Sequence, residues 1–115
     1  MFRRNQEQHT FAQMSWLKIE TRAHDVFVRF SGRLDHTVRH DLNKALERIL
    51  KSGINGAVVL QLADVHFLDA VAGATLARFL RQATQRGVSV EIWNVSPEVQ
   101  RVFAGLGISL SSDGR

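Results

Sequence analysis

The sequence predicts an α/β fold, a small mixed β-sheet of four to five strands packed with three or four helices. Two observations carry that prediction. Two runs near the start, 16–20 and 26–30, alternate apolar and polar residues around a short polar turn, as half-buried strands of a hairpin do. Segments of helical period then flank the apolar run Ala57-Val58-Val59-Leu60-Gln61-Leu62. Strand–helix–strand units of this kind favour right-handed crossovers and parallel pairing.

Each element is set by its own residues. Trp16-Leu17-Lys18-Ile19-Glu20 and Val26-Phe27-Val28-Arg29-Phe30 are the alternating strands, with a turn at Ala23-His24-Asp25 between them, and Gly32 is expected to end the second. Val38, Leu42, Ala45, Leu46, Ile49 and Leu50 fall on one helical face. Asp35 or Thr37 is placed to cap that helix, and Gly53 stands where a C-terminal glycine is expected. The run 57–62 has almost no polar alternation, so it is expected to be covered on both faces. A short acidic turn from Asp64 leads to a second helix over about 72–85 that opens on Asp69. Its inner residues are Ala72, Leu76, Phe79, Leu80 and Ala83; its outer face is Thr75, Arg78, Arg81, Gln82 and Gln85. Val88, Val90 and Ile92 alternate with Ser89, Glu91 and Trp93 in a further strand, and Trp93 is expected under a helix on the opposite sheet face, with an exposed interface anchor as the alternative. Ser96-Pro97-Glu98 supplies a capping hydroxyl, a proline at the first helical position and an acid in the first turn. Val99, Val102, Phe103 and Leu106 line the inner face of that helix, and Ile108 with Leu110 suggests a short edge strand.

The 115 residues fit one domain, and with 44% hydrophobic residues they can bury a core. Residues 1–13 read as a flexible polar tail, 14–110 as the domain and 111–115 as a second polar tail. There is no cysteine, which removes disulfides and thiolate metal sites and fits a cytoplasmic protein. No apolar run approaches the roughly 20 residues that span a bilayer, so direct membrane insertion is not expected. The formal net charge is +4, and twelve of the fifteen cations are arginine, a side chain suited to carboxylate and phosphate partners. Those charges are scattered, without a Lys/Arg run or interleaved aromatic stripe, so nucleic acid is not an expected partner.

The stretch 64–76 is the most informative. A strand-to-helix corner presents backbone N–H groups and small side chains to a partner. Between Asp64 and Ala74 there is no Ser, Thr, Cys or Lys, and therefore no hydroxyl, thiol or amine nucleophile.

Four segments, in order, resemble the STAS domain of the anti-sigma factor antagonist family: Ser31-Gly32-Arg33-Leu34-Asp35-His36-Thr37; Val58–Leu62 followed by Val65-His66-Phe67-Leu68-Asp69; Arg86-Gly87-Val88; and Asn94–Val99 with Phe103, Gly105, Leu106 and Gly107. The similarity runs from about Trp16 to Leu110. It implies a bacterial, non-enzymatic protein–protein interaction module of signal transduction and transcription regulation, with no cofactor. In that family a Ser or Thr directly after the loop aspartate accepts a phosphate, which adds nearly two negative charges and abolishes binding of an anti-sigma factor with kinase character. Here that position is Ala70, which cannot be phosphorylated, and the next residue is Val71. The resemblance therefore implies a lost switch and constitutive binding. It assigns partner contact to Arg33, Asp35, His36, Thr37, Asp64, His66, Asp69, Ala70, Val71, Gly73, Thr75, Arg78 and Arg81. Related STAS domains serve membrane transporters of the lipid-transport ABC and sulfate-type anion classes, so a transporter accessory subunit is an alternative. A nucleotide- or anion-binding domain using the helix starts at Asp69 and Ser96 is a third reading. A homodimer is compatible with all three.

Several residues carry a plain reading beside the functional one. Asp69 reads as a helix cap as well as a partner contact. Asp64 with Asp69 is too sparse a carboxylate set for a hard cation. His36 and His40, four apart, make at most half a zinc site. Thr75 is the nearest hydroxyl to the missing phosphoacceptor. Arg78 and Arg81 suit an acidic partner surface or plain solvent.

Overall fold

The computed structural model describes residues 8–53 and 55–108. Its order is β1 (Gln8–Met14), β2 (Leu17–Arg22), β3 (Asp25–Leu34), a 3-10 turn (His36–Val38), α1 (Arg39–Lys51), β4 (Val58–Leu68), α2 (Ala70–Gln85), β5 (Val90–Trp93) and α3 (Pro97–Gly105). The five strands form one sheet in the order β1-β2-β3-β4-β5. The first three pair antiparallel, and β3–β4 and β4–β5 pair parallel across the two helical crossovers. The mixed α/β fold is thus the one expected from the strand and helix periods.

Alternation decides which side of the sheet is buried. Leu17 and Ile19 of β2, Val26, Val28 and Phe30 of β3, and Val58, Leu60 and Leu62 of β4 share one core with Leu42, Leu46 and Ile49 of α1, Leu76 and Phe79 of α2, and Val99 and Phe103 of α3. The helices form one layer on that side. Full burial of Phe30, Phe79 and Phe103 anchors the two layers, since each such ring contributes a few kcal/mol.

Five expectations are corrected. First, residues from Gln8 onward belong to an edge strand, not to a tail: Met14 pairs with Leu17 and Gln8 with Arg22. An edge strand is held through its backbone on one side and needs little apolar sequence, which is why this polar stretch concealed it. Second, Gly32 does not end β3. It adopts φ +80 inside a strand that continues to Leu34, and glycine makes that conformation inexpensive beside a bulge. Third, the acidic turn after Leu62 is a continuation of β4 to Leu68. Between the pairs Arg29–Gln61 and Leu34–Leu68, β4 carries two more residues than β3. Its buried positions consequently step by three, Leu62, Val65 and Leu68, a spacing that does not look like a strand in sequence. Fourth, β4 is covered by helices on one face only. Val59, on the other face, is still only 4% exposed, lying in register between Phe27 and Glu91. Fifth, Trp93 lies on that same open face and meets no helix; its ring stands edge-on to Phe27 at 6.2 Å.

Neither candidate caps α1: Asp35 caps the 3-10 turn before it, its carboxylate accepting from the Thr37 N–H at 3.0 Å, and α1 starts from Val38 without a side-chain cap. The other two helix starts agree with the sequence. Asp69 caps α2 and Ser96 caps α3, with Pro97 at the first helical position. Ile108 donates its N–H to the Phe103 carbonyl and is not in a strand; Leu110 and the tail 111–115 lie outside the described residues.

Candidate functional site

The C-terminal ends of β3 and β4 meet the starts of the 3-10 turn and α2 at one corner. The Asp69 N–H donates to the Leu34 carbonyl at 3.0 Å, joining the two strand ends. Its carboxylate then does two separate things. Oδ1 accepts from the Ala72 N–H at 2.8 Å, capping α2. Oδ2 accepts from the His36 N–H at 2.9 Å, with the His36 ring Nδ1 3.6 Å away. One residue therefore ties together β3, β4, the 3-10 turn and α2, the strands through its backbone N–H and the turn and helix through its carboxylate. Both readings of Asp69 begin from this geometry: it is a cap, and it sets the shape of the loop.

A second chain of contacts runs beside it. Arg33 Nε donates to Asp35 Oδ2 at 3.1 Å, and the Arg33 guanidinium lies 4.0 Å from the centre of the Phe67 ring, a cation–π contact. Thr37 donates both its N–H and its hydroxyl to Asp35 Oδ1. The Thr37 hydroxyl first, then the Thr37 N–H, hold the Asp35 carboxyl below its ordinary value; partial desolvation opposes them, and Arg33 adds a smaller lowering.

Between these anchored groups the surface is apolar. Ala70 opens α2 and is exposed. Phe67 and Val71 are large apolar side chains at 36% and 39% exposure. Ala74 and Arg78 continue the exposed stripe down α2. The groups facing outward from this stripe are a methyl, an isopropyl, a phenyl ring and a guanidinium. They suit contact with another surface.

Two residues assigned to partner contact are withdrawn from it. Gly73 is buried beneath α3: a Cβ there would stand 2.8 Å from Leu106 Cδ1 and 3.1 Å from Val102 Cγ1. The missing side chain is what lets α3 lie close against α2. Thr75 is 8% exposed, and its hydroxyl donates to the Val71 carbonyl at 3.0 Å, so it is neither an accessible contact nor a substitute phosphoacceptor. Arg33, His36, Thr37, Asp64, His66, Ala70, Val71, Arg78 and Arg81 are exposed, and Asp35 and Asp69 are half-buried. Asp64 and His66 project from the bulged stretch of β4. Arg81 borders a groove with Leu80, Leu106 and Ile108, toward the far end of α2. Asp64 and Asp69 do not converge on a cation position, because both Asp69 oxygens are taken by N–H donors. Among the described residues no group of three or more His, Asp or Glu is placed to hold a metal ion.

The sequence reading missed the His36–Asp69 bond and the Arg33–Phe67 stack. Only the β3–β4 register, which pairs Arg33 with Phe67, could have announced the second; no spacing announces the first.

The STAS domain model matches residues 17–112. The chain belongs to the STAS domain family. Among solved structures it is similar to the anti-sigma factor antagonist SpoIIAA in its unphosphorylated form, with TM-score 0.70 and 18% identity over 84% of this chain and 89% of that one. It is also similar to a variant of RsbS from Moorella thermoacetica, with TM-score 0.69 and 19% identity over 82% and 80% of the two chains. A sulfate transporter family protein from Wolinella succinogenes matches with TM-score 0.59 and 18% identity over 70% of this chain and 65% of that one. At these identities the likenesses establish the STAS fold. No helix among the described residues is long and apolar enough to cross a membrane.

Proposed function

We propose that this STAS domain is a non-catalytic docking module of the anti-sigma factor antagonist kind, and that its Asp69–Ala70 corner holds a protein partner constitutively. The observation that supports this is the position of Ala70. It is the exposed first residue of α2, directly after a cap that is locked to two neighbouring elements. It is flanked by the exposed apolar groups of Phe67 and Val71. A methyl at this point has no oxygen to accept a phosphoryl group, so the corner keeps its neutral, contact-ready form. The nearby hydroxyls do not replace it, since Thr37 is held by Asp35 and Thr75 is buried. The partner expected is an anti-sigma factor or kinase-like protein of a cytoplasmic bacterial partner-switching system. Arg33 and Arg78 at the rim suit an acidic border on it.

A second reading, an accessory domain of a membrane transporter, is supported by the likeness to a sulfate transporter family protein. The third reading, nucleotide or anion binding at the helix starts of Asp69 and Ser96, is disfavoured because the Asp69 carboxylate and the Ser96 hydroxyl already accept from N–H groups that an anion would take.

The test is affinity for the protein that co-purifies with the chain. Ala70→Asp places a charge in a desolvated contact and is expected to weaken binding by about 30-fold or more. Equal affinity for parent and variant would show that the corner is not the interface. A kinase-like companion supports the first reading, and a permease or ABC ATPase the second.

A further inference from the structure

The sheet face opposite the helices carries a basin that the corner does not use. It holds about 220 Å³ and is lined by Lys18, Glu20 and Arg22 of β2, Phe27 and Arg29 of β3, and Gln61 of β4. Antiparallel register sets Lys18 directly opposite Arg29. Like charges facing each other across a strand pair destabilise the sheet, so this pairing works against folding. Glu20 compensates Lys18, with Oε2 3.2 Å from Nζ. The two arginines have no such relief. The Arg22 guanidinium lies 4.6 Å from the centre of the Phe27 ring, which holds it over the sheet without neutralising it. Among the described residues no carboxylate pairs with Arg22 or Arg29.

The other acids of this face stand outside the basin. Asp25, in register with Arg22, accepts from the Ala57 N–H at 2.9 Å. Glu91, on β5, accepts from Trp93 Nε1 at 2.9 Å. Asp64 is in register with Ser31, beyond the lining residues. The β1 residues in register with Arg22, Glu20 and Lys18 are Gln8, Thr10 and Gln13, none of them charged.

We infer that this basin binds a phosphomonoester, carried by a small molecule or by a side chain of another protein. Charge decides the class. Three cations and one carboxylate leave the lining at +2. A phosphomonoester carries about −1.5 to −2 near neutral pH and cancels that charge, whereas a single carboxylate leaves half of it. The donors agree. Each guanidinium offers a planar fork of N–H groups that meets phosphate oxygens in pairs, and the Gln61 amide adds donors without adding charge. At roughly 30 Å³ per water, the basin has the room of several waters, enough for a phosphoryl group and the first atoms bonded to it. No helix start contributes to it, so it is separate from the Asp69 and Ser96 corners.

Titration of the full chain with O-phosphoserine, followed by ¹⁵N-edited NMR of backbone and arginine Nε–H groups, tests this. Saturable shifts with a Kd of about 1 mM are expected, confined to the strand residues around Lys18, Arg22, Arg29 and Gln61. Potassium chloride at matched ionic strength is expected to leave them unmoved. Arg29→Gln removes charge-assisted bonds and is expected to weaken binding by about 10-fold. Glu20→Gln removes the one acid of the lining and is expected to tighten binding by about 3-fold or more. That gain separates a binding site from a merely structural cluster, since a variant that only loosened the sheet would bind less. Serine in place of O-phosphoserine is expected to give no shift. Glycerol 3-phosphate and a pentapeptide with a central phosphoserine then distinguish the sources: the tighter of the two names the carrier. Shifts that chloride reproduces, or that spread over all the arginines alike, overturn the proposal. So does unchanged affinity in Arg29→Gln, or unchanged or weaker affinity in Glu20→Gln.

Discussion

Two strand-to-helix corners stand side by side in this molecule, and they use the same local device to different ends. At the end of β4 Asp69 caps α2, and after the end of β5 Ser96 caps α3; each side chain accepts from the N–H three residues on. Ser96 does so at 3.3 Å and serves its own helix. Asp69 does so at 2.8 Å and gives its second oxygen to His36, thirty-three residues away. The residues after the cap also differ: Pro97 and Glu98 at one corner, Ala70 and exposed Val71 at the other. A helix start needs only the cap. The recognition surface proposed at the Asp69 corner also needs the cap to be fixed against the rest of the fold, with apolar groups left uncovered beside it.

The largest stability effect expected from this contrast is that of Asp69→Ala. It removes a cap, about 0.5–2 kcal/mol, together with a second hydrogen bond to a charged acceptor. A loss of about 2–3 kcal/mol in urea denaturation is expected, with partner affinity falling as well. Asp69→Asn sharpens the comparison. Its amide oxygen still accepts from Ala72, but its NH₂ then faces the His36 N–H, donor to donor. An intermediate loss of about 1–2 kcal/mol is expected, with α2 intact by circular dichroism and partner binding still impaired. Ser96→Ala should cost about 0.5–1 kcal/mol and leave partner affinity unchanged. If it costs as much as Asp69→Ala, the two corners are equivalent and the contrast fails. The smallest effect concerns Asp35, whose carboxyl is lowered by its bonds from Thr37. A depressed carboxyl stabilises the fold fully above its unfolded value of 3.8, and that contribution is lost as pH falls through the lower folded value. The melting-temperature gap between the wild type and Asp35→Ala should therefore hold at neutral pH and narrow below about pH 4.

Much of this architecture was legible from local signals. The alternation of β2 and β3, the apolar stripes of α1, α2 and α3, and the caps at Asp35, Asp69 and Ser96 are each decided within a few residues. Three features were not legible, and each depends on something outside its own segment. β1 is held by β2 through its backbone, so its sequence hardly advertises it. The far half of β4 takes a step of three imposed by its pairing with β3. The roles of Gly73, Trp93 and His36 depend on which element passes over them: α3 above Gly73, no helix above Trp93, and the Asp69 carboxylate beside His36. The corner could be picked out as a stretch of chain, but its accessible members could be separated from Gly73 and Thr75 only once α2 had a direction.

The two surplus residues of β4 give that strand an arithmetic of its own. In a regular pleat inward positions recur every second residue, whereas here they recur every third, at Leu62, Val65 and Leu68, so the length of this stretch decides which side chains stay covered. Removing His66 alone would leave Phe67 in an exposed place, carry Leu68 into another and draw Asp69 away from the Leu34 carbonyl. Loop grafts and truncations in this stretch should therefore keep its length.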